Sequence, residues 1–473
     1  MKRERPIVEA LQKFIKNKPL SLHVPGHKNG MLSNLPNGIK KALTYDVTEL
    51  TGLDDFHNPE EAILEAEKLL ARTYGAAQSF FLVNGSTVGN LAMIYATCQQ
   101  GDTVIVQRNA HKSIFHALEL VGINPVYIAP KWHEQSQTAG SVQLEQLVQA
   151  LNLYPDAKAV ILTYPTYYGV TTKNLEKQIS YCHGKGIPVL VDEAHGAHLT
   201  VSSQLPASAL DLGADVVVQS AHKTLPAMTM ASFLHIKSTR VDAQKVNHYL
   251  RMLQSSSPSY LLLASLDDAR QYVTGYTESD FVYLMEKRKQ LIESLQTLTE
   301  LQVVEVDDLL KLIVRAPGYT GFELKLALEK MQVFVELADA NQVLLILPLL
   351  KHGDTYPFAD LRIRMKEALI QLKESPGHLA QVNQLGIEMS ALTKPELSFA
   401  QIERAEKEWV PYVRAIGRVA ASTLIPYPPG IPLFIPGEKI TVAKLSQLEE
   451  LLAMGAAFQG EHRLHEKLIY VIK

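Results

Sequence analysis

Residues 214–223 read ADVVVQSAHK, a valine-rich apolar run that stops on Ser220, His222 and Lys223. A run so short and so continuously apolar, bounded by helical spacers, marks a strand buried on both faces of a parallel sheet. Five similar runs precede it: SFFLV at 79–83, TVIVQ at 103–107, PVYIA at 125–129, AVILTYP at 159–165 and IPVLVDE at 187–193. Strands alternating with helices in this way build a large α/β domain around a mainly parallel sheet. In such a domain the ligand sits beyond the carboxyl ends of the strands. The residues just after each run are therefore where chemistry is expected.

One spacer, NPEEAILEAEKLLARTYG at 58–75, shows the helical pattern in full. Asn58 is expected as N-cap, Pro59 at the first helical position and Glu61 at the third. Ile63, Ala66, Leu70 and Tyr74 fall on one face, and Gly75 stops the helix. Beyond about residue 272, YTESDFVYLMEKRKQLIESLQTL predicts a long helix leading away from the large domain. KLIVRA and VFVELA then predict strands of a second, smaller α+β domain. The expected division is an N-terminal segment, 1–57, that contributes to the active site, a large domain over 58–272 and a C-terminal domain over 273–473. A proline-dense loop, IPYPPGIPLFIPGE at 425–438, holds its shape without needing strand hydrogen bonds.

Forty-six Lys plus Arg against 49 Asp plus Glu leave a net charge of -3, without the basic excess that a phosphate backbone demands of a protein. No nucleic-acid partner is expected. The two cysteines, Cys98 and Cys182, form no C-x-x-C pair, which suits a reducing, cytoplasmic compartment. The basic start MKRERPIVEALQKFIKNKPL lacks the apolar core of a signal peptide, and no run is long enough to span a membrane.

The run SFFLV leads into NGSTVGNLAMIYATC, small polar residues with two glycines that open an apolar helix. Free N–H groups at such a helix start, with the Ser86 and Thr87 hydroxyls, form a phosphate cradle; a plain capped turn reads equally well from the same letters. VLVDEAHGAHL at 189–199 contains D-E-A-H and H-x-x-H. A nucleotide-driven ATPase also requires G-x-x-x-x-G-K-[ST], which occurs nowhere in the chain, and the zinc protease pattern H-E-x-x-H is missing as well. No metal is expected.

Asp192 and Lys223 stand 31 residues apart at the carboxyl ends of neighbouring apolar runs. A lysine, a carboxylate and an upstream phosphate cradle on one rim are what pyridoxal 5'-phosphate requires. The lysine forms a Schiff base, and the carboxylate keeps the ring nitrogen protonated. After TVIVQ, the stretch RNAHKSIFH places His111 where a flat side chain could lie over the ring; a helix-capping role fits the same position.

These stretches, together with HVPGHKNG 23–30, DVTELTGLDDFHNP 46–59, PTYYG 165–169, SSSPSY 255–260 and PYPPGIPL 426–433, resemble the Orn/Lys/Arg decarboxylase family in its short form without the N-terminal wing domain. The resemblance runs over nearly the whole chain. It implies a fold-type I pyridoxal-phosphate enzyme, with the PLP-dependent transferase-like large domain of the aspartate aminotransferase class. Such an enzyme is a homodimer with a shared active site that decarboxylates a basic amino acid, arginine or lysine and possibly ornithine. It implies Lys223 as the cofactor lysine and Asp192 as the partner of the pyridine nitrogen, with Ala194 beneath the ring and His111 above it. Ser86, Thr87 and the Val88 amide would take the phosphate, helped by Ser220 and His222. Ser256 and Ser257 would reach the neighbouring subunit's site. One departure is His195, where the larger family members carry an aromatic residue; it bears on the substrate-side packing and not on the cofactor, for which His195 still counts as a binding residue. A basic substrate also calls for acids at the far end of its pocket, and Glu49, Asp54, Asp55 and Glu323 are the candidates. The competing reading is an aminotransferase or aldolase of the same fold, which would release keto acid or aldehyde instead of carbon dioxide.

Overall fold

The computed structural model describes residues 4–374, 391–426 and 431–473. Residues 427–430 of the proline-dense loop, with the same part of the PYPPGIPL motif, lie outside the described residues. In chain order the main strands are β1 (Gln78–Leu82), β2 (Thr103–Gln107), β3 (Asn124–Ile128), β4 (Ala159–Thr163), β5 (Val189–Asp192), β6 (Val216–Gln219), β7 (Ser232–Ile236) and β8 (Leu392–Thr393). Each of the six expected apolar runs becomes one of these strands, with its edges shifted or trimmed. The chain gathers into two compact units, one from residues 1–97 and 188–277 and the other from 98–187 and 278–473.

In the first unit the strand order is β1-β7-β6-β5. β5 and β6 pair in parallel, with Asp192 opposite Val218. β7 runs antiparallel to both of its neighbours. That corrects the expectation of a parallel neighbour for SFFLV. The intervening strand SFLHI escapes an apolar reading because Ser232 and His235 interrupt it. Both are fully buried. His235 is tolerated there because its ring bonds Ser79 Oγ at 2.7 Å and Gln219 Oε1 at 3.1 Å, and burial pushes the imidazole down to about 3. Since β7 opposes both flanking strands, β1, β5 and β6 point the same way and end on one rim.

The helix expected from Asn58 begins later, at Ala62–Tyr74. Its start is capped from a distance: the Asp54 carboxylate accepts the N–H groups of Glu60, Glu61 and Ile63 at 2.8–2.9 Å, with Leu64 at 3.5 Å. An anion so placed satisfies donors that have no partner within the helix and complements its dipole. Pro59 and Asn58 thus belong to the approach loop. The stop is as expected, with Gly75 in the left-handed region at φ 64°.

In the second unit β4, β2 and β3 are parallel neighbours, and β8 pairs antiparallel with β3. The expected long helix is Glu278–Gln296. A four-stranded antiparallel sheet follows, in the order Gln302–Glu305, Lys311–Arg315, Val343–Ile346 and Leu337–Ala338. Of VFVELA only Leu337–Ala338 enters it, because Phe334 remains 73% exposed and only those two residues find a partner strand. Helices Gly321–Lys330 and Phe358–Glu374 cover this sheet, burying Leu324, Leu328, Met365 and Leu369 in one core with Leu312 and Val343. This is the smaller α+β layer that the C-terminal pattern predicts. Among the described residues no helix is long and apolar enough to cross a membrane.

Candidate active site

The rim of the first unit collects the chemistry. β5 ends on Asp192, which is 2% exposed. Its Oδ2 accepts from Asn90 Nδ2 at 2.9 Å and its Oδ1 from the Ala194 N–H at 3.1 Å. Both donors are neutral, and among the described residues this carboxylate has no ion pair. Burying an anion with only neutral partners costs several kcal/mol unless a cation is brought to it.

β6 ends one residue before Ser220, and the turn Ala221–Thr224 carries Lys223. Lys223 Nζ lies 3.0 Å from His195 Nε2. Ser220, fully buried, donates from its hydroxyl to Ser86 Oγ at 2.8 Å, and its N–H bonds the Ala194 carbonyl at 3.3 Å. These bonds lock the turn after β6 to the turn after β5 and to the start of the helix Gly85–Thr97. His222 gives its Nδ1 proton to the Ala231 carbonyl at 3.1 Å, since a carbonyl can only accept.

That helix opens at Gly85, whose φ of 76° turns the chain off β1. Gly89 lets it lie close on the sheet, because a Cβ there would meet Leu82 Cδ1 at 2.7 Å and Val218 Cγ1 at 2.8 Å. Helix geometry leaves the N–H groups of its first turn without intrahelical partners, and the hydroxyls of Ser86 and Thr87 stand beside them. Thr87 is exposed, whereas Val88 is buried.

The remaining letters of D-E-A-H are structural. Glu193 is fully buried and accepts from Ser208 Oγ, the Ala209 N–H and Gln219 Nε2 at 2.6–2.8 Å. Burial nevertheless pushes its carboxyl up to about 7. Gly196 has to be glycine, since a Cβ would come within 2.5 Å of Glu193 Cγ. His195 contacts the lysine, and no group of three or more side chains able to hold a metal occurs among the described residues.

The Orn/Lys/Arg decarboxylase major domain matches residues 5–317, and the C-terminal domain of the same family matches 380–461. The chain belongs to the Orn/Lys/Arg decarboxylase family. A protein of Bacillus subtilis, YaaO, whose name assigns no activity, is 44% identical over 98% of each chain. An arginine decarboxylase of the same organism is 33% identical over 99% of this chain and 98% of its own. Among solved structures, the constitutive lysine decarboxylase of Escherichia coli shares the fold with a TM-score of 0.79 at 20% identity, covering 99% of this chain and 82% of that one.

Family membership implies pyridoxal phosphate, and the first unit offers what that group needs: a buried carboxylate awaiting a cation, a lysine, and a helix N-terminus dressed with hydroxyls. Asn90, which bonds Asp192, was not singled out from the sequence. Its only signal is a fully buried polar side chain one turn beyond Ser86 on an otherwise apolar helix.

The other candidates of this Orn/Lys/Arg decarboxylase chain have local partners of their own. His111, in the second unit, is the N-cap of the helix Lys112–Val121, where its Nδ1 accepts from the Ser113 N–H at 3.3 Å. Ser256 and Ser257 are exposed, while their neighbour Ser255 binds Asn84 Oδ1 through its N–H at 3.1 Å. Of the four acids considered for a substrate cation, Asp54 is committed to its helix cap, and Glu323 serves a capping box with Thr320. Asp55 accepts the His57 N–H at 2.8 Å in an exposed loop. Glu49 alone of the four keeps a buried oxygen, Oε1, without a hydrogen-bond partner.

Proposed function

We propose that this chain decarboxylates a basic L-amino acid with pyridoxal 5'-phosphate, releasing carbon dioxide and the corresponding amine, and that arginine is the first substrate to test. The observation that carries the reading is the meeting of Asp192, Lys223 and the Ser86 helix start on one rim of the first unit. Arginine heads the three basic amino acids because relatives named arginine decarboxylase are 32–33% identical over nearly their full length.

The cofactor, when bound, supplies a protonated ring able to take up the electron pair that departing carbon dioxide leaves behind. Lys223 would hold it. Asp192, oriented by Asn90 and the Ala194 N–H, keeps the ring nitrogen protonated. Ser86, Thr87 and the Val88 N–H hold the phosphate, with Ser220 and His222 beside them. Ala194 and His111 would contact the cofactor; the family resemblance is the support for those two assignments. Orientation of the bound substrate would select decarboxylation over transamination, and alignment of this kind is worth several kcal/mol of barrier.

Further parts of the proposal are a homodimer in which Ser256 and Ser257 reach the partner's site, a cytoplasmic location, and the functional division 1–57, 58–272 and 273–473. The two serines are exposed, as that reach requires, and the buried Cys98 and Cys182 fit a reducing compartment. Glu49 is proposed to meet the distal cation of the substrate, because its unpartnered buried oxygen awaits a donor.

Product analysis after incubation with arginine, lysine and ornithine tests the reading: equimolar carbon dioxide and amine support it, and keto acid or aldehyde supports the transaminase or aldolase alternative instead. Glu49→Gln is expected to raise KM for the preferred amino acid about tenfold or more, as loss of a charge-assisted hydrogen bond does. Unchanged discrimination among the three would remove Glu49 from the substrate site.

A further inference from the structure

We infer that His195 is the group that takes the proton from Lys223 when the lysine captures its cofactor, an inference that rests on the reading of Lys223 as the cofactor lysine. His195 is 3% exposed, and its Nε2 stands 3.0 Å from Lys223 Nζ. A lysine ammonium only donates, so Nε2 is the acceptor and the neutral ring carries its own proton on Nδ1. An aromatic hydrocarbon ring at this position could pack against the lysine stem but could not receive a proton.

The exchange balances without any further reagent. Lys223 Nζ passes one proton to His195 Nε2 and, as a free amine, forms the C–N bond to the cofactor's aldehyde carbon. His195 then returns its proton to the displaced carbonyl oxygen, which takes its second proton from the attacking nitrogen and departs as water. One ammonium and one aldehyde are consumed, one water is released, the positive charge ends on the new C=N nitrogen, and His195 is regenerated. The same contact serves each time the lysine is freed and must be made nucleophilic again.

The titratable groups of the first unit around this contact come from several elements. Asp192, Glu193 and His198 lie on the same strand end and turn, and His222 adjoins the lysine. Tyr74 of the helix Ala62–Tyr74 donates to the Ala197 carbonyl at 2.8 Å and stacks on His235 of β7. Glu193 is held by three donors and His235 by two partners, and His195 Nε2 is in contact with Nζ.

The test follows cofactor capture, not turnover. The full-length protein is stripped of cofactor, pyridoxal phosphate is added, and the rise of the bound cofactor's visible absorbance is timed from pH 6 to pH 9. In the native chain the rate should rise less steeply with pH than in a variant without the imidazole, because the lysine proton leaves by way of His195. In His195→Gln it should be about 100-fold slower at pH 7, the usual contribution of a general base, and should climb about tenfold per pH unit because the amine must lose its proton beforehand. Added imidazole should restore the rate in His195→Ala, which shows that the variant folds. Variant profiles that run parallel to the native one, with no rescue by imidazole, would mean that His195 only packs against the lysine. If the native chain captures no cofactor, the proposed function fails and this inference with it.

Discussion

At Asp192, a carboxylate 2% exposed is held by two neutral donors. Such a group gains most when a cation arrives, so Asp192→Asn should keep the fold and lose at least about 100-fold in kcat, with bound cofactor still detectable by absorbance. Asn90 would keep a polar partner in that variant, whereas Asp192→Ala would leave its amide short of one. Its neighbour Glu193 makes a different prediction. Burial raises its carboxyl to about 7, and that of Glu67, in the same unit, to about 8. A carboxyl whose folded value exceeds its unfolded one favours the folded state most below about pH 4.5 and loses that contribution as pH rises through the folded value. The native chain should therefore lose up to about 3 kcal/mol of stability on Glu193's account between pH 4.5 and 8. Urea midpoints at pH 5 and pH 8 should differ less in Glu193→Gln than in the native chain; an equal difference would show that Glu193 titrates normally. Asp192 and Lys223 were legible in the sequence because each closes an apolar run. Glu193 and Asn90 were not, since their partners, Ser208, Gln219 and Asp192, are brought to them only by the fold.

At the scale of elements, the strands were legible and their neighbours less so. Five residues of continuous apolar side chains announce a buried strand wherever it lies, but nothing in SFFLV says that SFLHI will run antiparallel beside it. The polar Ser232 and His235 of that strand are admitted only through bonds across the sheet, which no local pattern contains. Helix Ala62–Tyr74 teaches the same lesson: its stop at Gly75 is local and was readable, whereas its start depends on Asp54, eight residues upstream. Asp54 itself sits at a φ of 79°, a conformation that Asp and Asn tolerate better than most residues. Asp54→Ala should thus cost about 2 kcal/mol through the lost cap and the strained backbone, with Asp54→Asn recovering part of it. Thermal denaturation measures both variants. The preference among arginine, lysine and ornithine should stay as in the native chain, and a changed preference would return Asp54 to the substrate site.

Across the whole molecule, the α/β class, the smaller C-terminal layer and the family were readable, because strand-helix alternation and a set of short motifs extend from residue 23 to residue 433. The grouping into two units that interleave along the chain was not, because it depends on long-range contacts that hydrophobic periodicity does not encode. The central claim, that this rim removes carboxylate as carbon dioxide through Lys223, is tested most directly with carboxyl-labelled arginine, lysine and ornithine, each offered to the native protein and to Lys223→Ala. Labelled carbon dioxide is expected from at least one of them, matched one to one by amine and abolished in Lys223→Ala together with the bound cofactor's absorbance. Label retained in a keto acid, or carbon dioxide released equally by Lys223→Ala, would contradict it.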